Sequence, residues 1–194
     1  MYLETKSFEK AFDYIVLNKN KIITIKGKFL IPQIPNNTFR NEKKFANSLL
    51  LDMGCYPLSL ITYLNLNLNE LKLEKEILTN SSKCIYEIKA LVNNFKFKFL
   101  IGCSGYYRNK LSIELLSGEK VQFEPFFHGI ESKRTFIKYD REIKLTSFIE
   151  EENAFLKLFN KPRKRYLSNQ NFRFKKMLEI CSNIELIEKI SDLT

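Results

Sequence analysis

Several residue types that support particular chemistries are scarce or missing in this sequence. Tryptophan is absent, histidine occurs once, at His128, and there are only six glycines in 194 residues. None of the glycine spacings matches the G-x-G-x-x-G loop that cradles a dinucleotide phosphate. A single histidine excludes sites built on two histidines, so we interpret His128 as a structural or surface residue.

Long apolar runs and cysteine motifs are also missing. No segment approaches the roughly 18 consecutive apolar residues of a membrane-spanning helix. The N-terminus lacks the basic and apolar pattern of a signal peptide. The four cysteines form no C-x-x-C pair, so we interpret them as buried thiols in a reducing compartment. We therefore expect a cytoplasmic protein with no membrane partner, no disulfide and no metal site.

The net charge of +10 is concentrated in one segment. Residues Lys161–Lys176 contain seven basic side chains and no acid, so the rest of the chain carries only +3. Aromatic residues occur among these cations, as they do in nucleic-acid-binding segments. No recognisable binding motif accompanies them. We therefore interpret 161–176 as a solvated segment before the last helix, and nucleic acid is not an expected partner.

Hydrophobic periodicity predicts helices at several places along the chain. Phe8, Ala11, Phe12, Ile15 and Val16 have helical spacing, with Ser7 as the N-cap. A second helix is predicted over Ser48–Leu64, with Gly54 and Pro57 causing a kink or a late start. Ser147 and Glu150 form a capping box that predicts a helix carrying Phe148, Phe155 and Phe159. The last helix carries Met177, Ile180, Cys181, Ile184 and Ile187.

Alternating and β-branched segments predict a strand over Ile22–Ile31 and a series of strands after the second helix. The turns between them include Asn93-Asn94 and Ser117-Gly118. Strands in quick succession indicate an antiparallel meander. We predict one α+β domain over residues 1–194, with helices on one face of an open, mainly antiparallel sheet. The predicted later strands are Leu71–Leu78, Lys83–Val92, Phe95–Gly102, Leu111–Leu115, Val121–Phe127 and Thr135–Leu145.

Three stretches of the chain resemble the Gfo/Idh/MocA family of sugar oxidoreductases, of the glucose–fructose oxidoreductase type. The first is Ile25–Pro32, followed by Asn37-Thr38-Phe39-Arg40. The second and most specific is Leu50-Leu51-Asp52-Met53-Gly54-Cys55-Tyr56-Pro57-Leu58, which is similar to the family's "aLlDxGcYpl" signature. The third is Ile101–Asn109, similar to a hairpin of members that act on nucleotide-linked sugars.

The resemblance implies a C-terminal substrate-binding and oligomerisation domain, without the N-terminal Rossmann domain that binds NAD or NADP. This chain alone is therefore not expected to bind the cofactor, and a separate Rossmann-domain chain is a possible partner. The family's three glycines before Leu-Leu-Asp, which let the backbone approach the nicotinamide, correspond to Ala46, Asn47 and Ser48 here. Their side chains would intrude where the cofactor ring should lie.

The resemblance also assigns catalytic roles to Tyr56 and Asp52. In the family, a tyrosine or histidine at the position of Tyr56 exchanges a proton with the sugar hydroxyl, and the aspartate orients it or contacts the sugar. A phenol, with an ordinary pKa of about 10, needs a neighbouring cation to act as a base at neutral pH. The family's Glu-Lys-Pro motif supplies that lysine and is absent here. The alternative is a structural polar pair at a helix end.

Candidate substrate contacts follow from the other two stretches. Arg40, beside Asn37, either pairs with a phosphate or carboxylate or is a solvated loop arginine. The cluster in the third stretch either contacts a sugar or base or forms an ordinary polar hairpin. The members of that cluster are Tyr106, Tyr107, Arg108 and Asn109.

Two functions remain open at the level of sequence. The first is the sugar-binding half of a truncated or split NAD(P)-dependent sugar or nucleotide-sugar oxidoreductase. The second is a non-catalytic oligomerisation or sugar-binding module derived from that family. In both cases we expect a homo-oligomer formed through the open face of the sheet, because a soluble protein rarely leaves an apolar sheet face exposed.

Overall fold

The computed structural model describes residues 5–32, 48–64, 68–78, 83–92, 94–127, 134–140 and 143–149, together with Leu178 and Ser182. Two α-helices are assigned within the ranges, with a 3₁₀ turn at Lys19–Lys21 after the first. The helices are α1 (Lys6–Asn18) and α2 (Ser48–Tyr63). The strands are β1 (Ile22–Ile31), β2 (Leu68–Leu78), β3 (Lys83–Val92), β4 (Phe95–Cys103), β5 (Arg108–Leu115), β6 (Lys120–Glu124), β7 (Arg134–Asp140) and β8 (Ile143–Ile149).

The described strands have the hydrogen-bonded order β2-β3-β4-β1-β5-β6-β7-β8. The pairings β2–β3, β3–β4, β5–β6, β6–β7 and β7–β8 are all antiparallel. This confirms the predicted α+β class with an open, mainly antiparallel sheet. The chain forms two compact units, one containing 1–26 with 109–175 and the other containing 27–108 with 176–194. The first half of β1 therefore belongs to one unit and the second half to the other.

The first unit is built around α1 and strands β5 to β8. Most of the predicted apolar face of α1 is buried, and the ring of Phe8 lies 6.4 Å from that of Phe126, but Val16 is 53% exposed. The helix begins at Lys6, because the Thr5 side chain accepts a hydrogen bond from the Phe8 backbone N–H at 3.2 Å. The predicted N-cap Ser7 was wrong: it lies inside the first turn and is buried.

The second unit packs α2 against β4 and places β2 and β3 beside it. Alternate residues of β4 are fully buried, whereas Lys96 and Lys98 between them are exposed. The strand therefore has one apolar and one charged face. The buried side chains are Phe95, Phe97, Phe99 and Ile101.

Most predicted elements are confirmed, with bounds shifted by a few residues, but two assignments near the end of the sheet were wrong. The predicted single strand Thr135–Leu145 is two strands, β7 and β8, which pair from Asp140↔Ile143 to Arg134↔Ile149. The capping-box helix at Ser147 was also wrong at its start, because Ser147 and Phe148 lie in β8 opposite Phe136 and Thr135. Cross-strand pairing with β7 outweighs a local capping preference.

Several sequence predictions fall on residues outside the described ranges. These include His128, the basic segment 161–176 and most of the predicted last helix. Helix α2 runs from Ser48 to Tyr63 and contains Pro57, so the alternative prediction of a start after Pro57 was wrong. None of the helices in the described part of the chain is long and apolar enough to cross a membrane.

Candidate functional site

Helix α2 carries both predicted catalytic residues, Asp52 and Tyr56. They are four residues apart within one helix, so their side chains project from the same face. Both residues are half-buried, in contrast to the fully buried Met53 and Leu60 on the core side. The helix therefore presents a carboxylate and a phenol together at the border between core and surface.

The position of the Tyr56 ring is set by β1. Its centroid lies 4.8 Å from that of Phe29, at an interplanar angle of 75°. Phe29 is buried, so this edge-to-face contact anchors the tyrosine in the core. The backbone carbonyl of Tyr56 also accepts a hydrogen bond from Ser59 Oγ at 2.8 Å. The Tyr56 ring is thus held in a fixed position, as a proton donor or acceptor at an active site requires.

Cys55 lies between these two residues but is not suited to act as a nucleophile. Burial, and then the nearby Asp52 carboxylate, raise the pKa of the Cys55 thiol to about 11. The thiol donates to the Asp52 backbone carbonyl at 3.2 Å. A thiol with a raised pKa is protonated at neutral pH and reacts slowly. The chemistry available at this helix is therefore that of a carboxylate and a phenol.

The connection between β4 and β5 carries the exposed part of the predicted substrate cluster. Tyr106 and Tyr107 are 49% and 46% exposed, and Arg108 is exposed as well. The Arg108 guanidinium carbon lies 5.3 Å from the Tyr106 ring centroid, and Arg108 Nη1 donates to the Tyr107 carbonyl at 3.4 Å. A guanidinium held on an aromatic face remains able to bind a phosphate through its other N–H groups.

The predicted hairpin was wrong, because β1 lies between β4 and β5 in the sheet, so this segment crosses the end of β1 and is hydrogen-bonded to it. The Ser104 backbone N–H donates to the Ile31 carbonyl at 3.0 Å, and that of Gly105 donates to the Pro32 carbonyl at 2.8 Å. Gly105 has a φ of +82°, a conformation that favours glycine. Phe29, which contacts Tyr56, precedes Ile31 and Pro32, which bind the β4–β5 connection, by two and three residues. They lie within roughly 10 Å along the strand.

Asn109, the last member of the predicted cluster, differs from its three neighbours. It is 1% exposed, and its Oδ1 accepts from the backbone N–H groups of Phe126 and Phe127 at 3.0 and 2.7 Å. This amide therefore holds the chain after β6 in place. Its predicted contact with substrate stays a prediction.

Most of the other predicted site residues lie outside the part of the chain that the structure describes. Asn37, Arg40, Ala46 and Asn47 lie outside the described ranges, and Ser48 is placed only as the first residue of α2. Sequence reasoning missed Phe29 as the partner of Tyr56, although Phe29 lies in the first family-like stretch. Among the described residues, no group of three or more His, Cys, Asp or Glu side chains could hold a metal ion.

Comparison of sequences identifies no relative. No protein-family model matches the chain, and no curated protein matches it.

Comparison of structures finds a similar fold in ketoreductases and dehydrogenases. KijD10, a 3-ketoreductase from Actinomadura kijaniata in complex with NADP and TDP-benzene, matches 95% of this chain with a TM-score of 0.68 and 15% identity. A dehydrogenase from Chromobacterium violaceum matches 99% with a TM-score of 0.73 and 9% identity. GnnA, a UDP-N-acetylglucosamine 3-dehydrogenase from Acidithiobacillus ferrooxidans, matches 95% with a TM-score of 0.65 and 9% identity. The match covers 58%, 59% and 58% of these chains, respectively.

Proposed function

We propose that this chain supplies the part of an NAD(P)-dependent sugar oxidoreductase of the Gfo/Idh/MocA type that binds a nucleotide-linked sugar. The observation that carries the proposal is the position of the family-like signature in the fold. Asp52 and Tyr56 project from one face of α2, and Tyr56 is anchored on β1 beside the attachment of the β4–β5 connection, which carries Tyr106 and Tyr107 and ends at Arg108. The similar structures include a complex with NADP and TDP-benzene and a UDP-N-acetylglucosamine dehydrogenase, which supports this class of ligand.

In this proposal the residues of α2 act on the sugar. The Tyr56 hydroxyl exchanges a proton with the sugar hydroxyl or carbonyl oxygen, and the Asp52 carboxylate orients the sugar. NAD(P), when bound, supplies the hydride chemistry. These 194 residues hold no G-x-G-x-x-G loop. The dinucleotide must therefore be bound by residues outside this sequence, on the same polypeptide or another.

The β4–β5 connection, with Arg108 at its end, binds the nucleotide in this proposal. A guanidinium makes paired hydrogen bonds to phosphate oxygens, and a tyrosine ring stacks on a base or sugar. Arg108 and Tyr106 already contact each other and are exposed. Little ordering of side chains is therefore needed on binding, which favours affinity.

A non-catalytic sugar-binding module is the second candidate, and one sequence feature favours it. Side chains at Ala46, Asn47 and Ser48 replace three family glycines. With these side chains, the backbone would not approach the nicotinamide as closely as the family's glycines allow. A neighbouring gene that encodes a G-x-G-x-x-G strand–turn–helix and a Glu-Lys-Pro motif would favour the split enzyme over the module.

We also propose that the protein self-associates through the open face of β3 and β4. That face is mixed and not wholly apolar as expected from the sequence, because Ile85, Leu91 and Leu100 share it with charged side chains. It carries Glu87 bound to Lys89 at 2.9 Å, and Glu87 also pairs with Lys98 of β4. A face with both charges is complementary to a second copy of itself across a two-fold axis.

Calorimetric titration with TDP and TDP-glucose tests the ligand assignment. We expect Arg108→Ala to weaken both ligands by about tenfold or more, because a charge-assisted hydrogen bond to phosphate is lost. Tyr56→Phe should weaken TDP-glucose more than TDP, because only the sugar contacts this hydroxyl. Lys110→Ala, which removes a nearby cation on β5, is the matched control. Equal affinities in all four proteins would contradict the proposal.

A further inference from the structure

Two cysteines that are distant in the sequence lie directly opposite each other in the sheet. Cys84 of β3 and Cys103 of β4 are register partners, and both are free thiols. The two strands are joined by a two-residue turn, and Asn94 in it has a φ of +73°. A two-residue turn fixes the register of the whole hairpin. The opposition of Cys84 and Cys103 is therefore built into the turn.

The backbone geometry at this pair suits a disulfide. Directly opposite residues of an antiparallel ladder have Cα atoms about 4.5 or 5.5 Å apart, depending on the type of pair. Disulfides span Cα separations of about 4.4–6.8 Å, so both types fall inside the permitted range. The strands also approach closely here, since a Cβ added at Gly102 would lie 2.1 Å from the Cys84 carbonyl oxygen.

The alternation of each strand puts both thiols on the same face. Cys84 precedes the buried Tyr86 by two residues, and Cys103 follows the buried Ile101 by two residues. Tyr86 and Ile101 are themselves register partners. Residues two apart on a strand share a face. Both thiols therefore face the side of the sheet on which the core residues lie.

We propose that Cys84 and Cys103 form a reversible cross-strand disulfide by exchange with a small oxidised thiol such as oxidised glutathione. The Cys84 thiolate attacks the external disulfide, which gives a mixed disulfide at Cys84 and releases one reduced thiol. The Cys103 sulfur then attacks the Cys84 sulfur and expels the second reduced thiol. Two protein thiols are oxidised and one external disulfide is reduced to two thiols, so electrons and protons balance.

The exposure of the two cysteines gives them different roles. Cys84 is half-buried and can be reached from solvent, whereas Cys103 is 0% exposed and acts as the resolving thiol. In the reduced protein, Cys103 Sγ donates to the Pro32 carbonyl at 3.3 Å. Forming the disulfide requires rotation of this side chain towards β3 and removes that hydrogen bond. The oxidation state is thereby coupled to the end of β1.

Thiol counting on the native protein tests the proposal. After incubation with excess oxidised glutathione and acid quenching, we expect the wild-type chain to lose two alkylatable thiols. Trypsin digestion should give residues 84–89 linked to residues 99–108, and dithiothreitol should separate them. Cys55→Ser should leave the linked peptide unchanged.

A matched variant tests whether the register matters. Cys84→Ser combined with Ile85→Cys keeps the number of thiols but places one on the opposite face, across from Gly102. We expect no linked peptide from it. A wild-type protein that carries only a mixed disulfide at Cys84, or keeps both thiols alkylatable, would overturn the proposal. Equal cross-linking in the matched variant would overturn it as well.

Discussion

Two buried glycines, Gly27 and Gly54, have very different amounts of room around them. A Cβ added at Gly27 would lie 2.0 Å from the Phe99 ring, which is fully buried, whereas one at Gly54 would lie 3.5 Å from the Leu50 side chain and 3.8 Å from that of Ile101. We expect Gly27→Ala to lower the free energy of unfolding by about 1–3 kcal/mol through overpacking. Gly54→Ala, inside α2, should be neutral or stabilising by up to about 1 kcal/mol.

Urea denaturation of the two alanine variants measures this difference. Gly54→Ala serves as the control for an added methyl group in the same unit. A Gly27→Ala protein as stable as wild type would show that β1 and β4 are not packed as described.

The buried amide of Asn109 should matter for stability in the absence of any ligand. Asn109→Ala removes the acceptor of two buried N–H groups, at Phe126 and Phe127. We expect a loss of about 2–4 kcal/mol in the free energy of unfolding, because unsatisfied buried donors keep their desolvation cost. Thermal unfolding of the ligand-free protein, with Lys110→Ala as the control, measures it. An unfolding temperature unchanged from wild type would show that the Asn109 amide does not stabilise the fold.

Individual residues were only partly predictable from the sequence. The family-like signature was sufficient to place Asp52 and Tyr56 on one face of a helix, because four residues make about one turn. The contacts that fix them depend on distant strands. Neither the Phe29–Tyr56 contact nor the burial of Asn109 follows from local spacing, since both join residues far apart in the chain.

At the scale of elements, α1 is tied to the turn before β6 by a polar chain. The Tyr14 hydroxyl donates to Glu119 at 2.5 Å, and Glu119 pairs with Lys138 of β7 at 3.0 Å. The hydrogen bond from Tyr14 lowers the pKa of Glu119, with Lys138 adding to it, against the effect of burial. Burial, and then Glu119, raise the pKa of Tyr14. These shifts link the docking of α1 to pH.

We expect Tyr14→Phe to cost about 1–2 kcal/mol of unfolding free energy at neutral pH. A lowered folded pKa stabilises the fold above the unfolded value of about 4.3, and this contribution is lost on acidification. A raised tyrosine pKa stabilises the fold below about pH 10, and this contribution is lost above it. The difference between wild type and variant should thus be largest between about pH 5 and 9.

Denaturation of both proteins across the pH range tests this dependence. Lys138→Met keeps the Tyr14 hydrogen bond while removing the cation. It should therefore reduce mainly the loss of unfolding free energy on acidification, which comes from Glu119. A Tyr14→Phe difference that is constant from acid to alkali would contradict the network.

Element bounds were predictable where the local pattern agreed with the tertiary structure. β1 and β3 have the predicted bounds because their β-branched runs end at Pro32 and at the Asn93-Asn94 turn. The hairpin between β7 and β8 was missed because residues 135–145 contain no glycine, proline or asparagine to mark a turn. Its existence depends on pairing across the sheet.

At the scale of the whole molecule, the fold class followed from the succession of strands and from the resemblance together. The residue composition of the open sheet face could not be predicted, because the apolar content of a strand does not show which of its residues point to that face. The partners on that face, Glu87, Lys89 and Lys98, became evident only from the register.

The charged face leads to a prediction about association. We expect sedimentation to show an oligomer that dissociates as salt rises, because screening weakens contacts between charges. Glu87→Lys should favour the monomer at all salt concentrations, whereas Glu114→Lys on β5 serves as a control of equal charge change. An oligomer that is strengthened by salt would indicate an apolar interface instead.

The central claim is that these residues bind a nucleotide-linked sugar and not the dinucleotide. Parallel titrations of the wild-type protein with TDP-glucose by calorimetry and with NADPH by fluorescence test it most directly. We predict saturable binding of TDP-glucose at one site per chain and no change in NADPH fluorescence. Tight binding of NADPH, with no heat from TDP-glucose, would contradict the account.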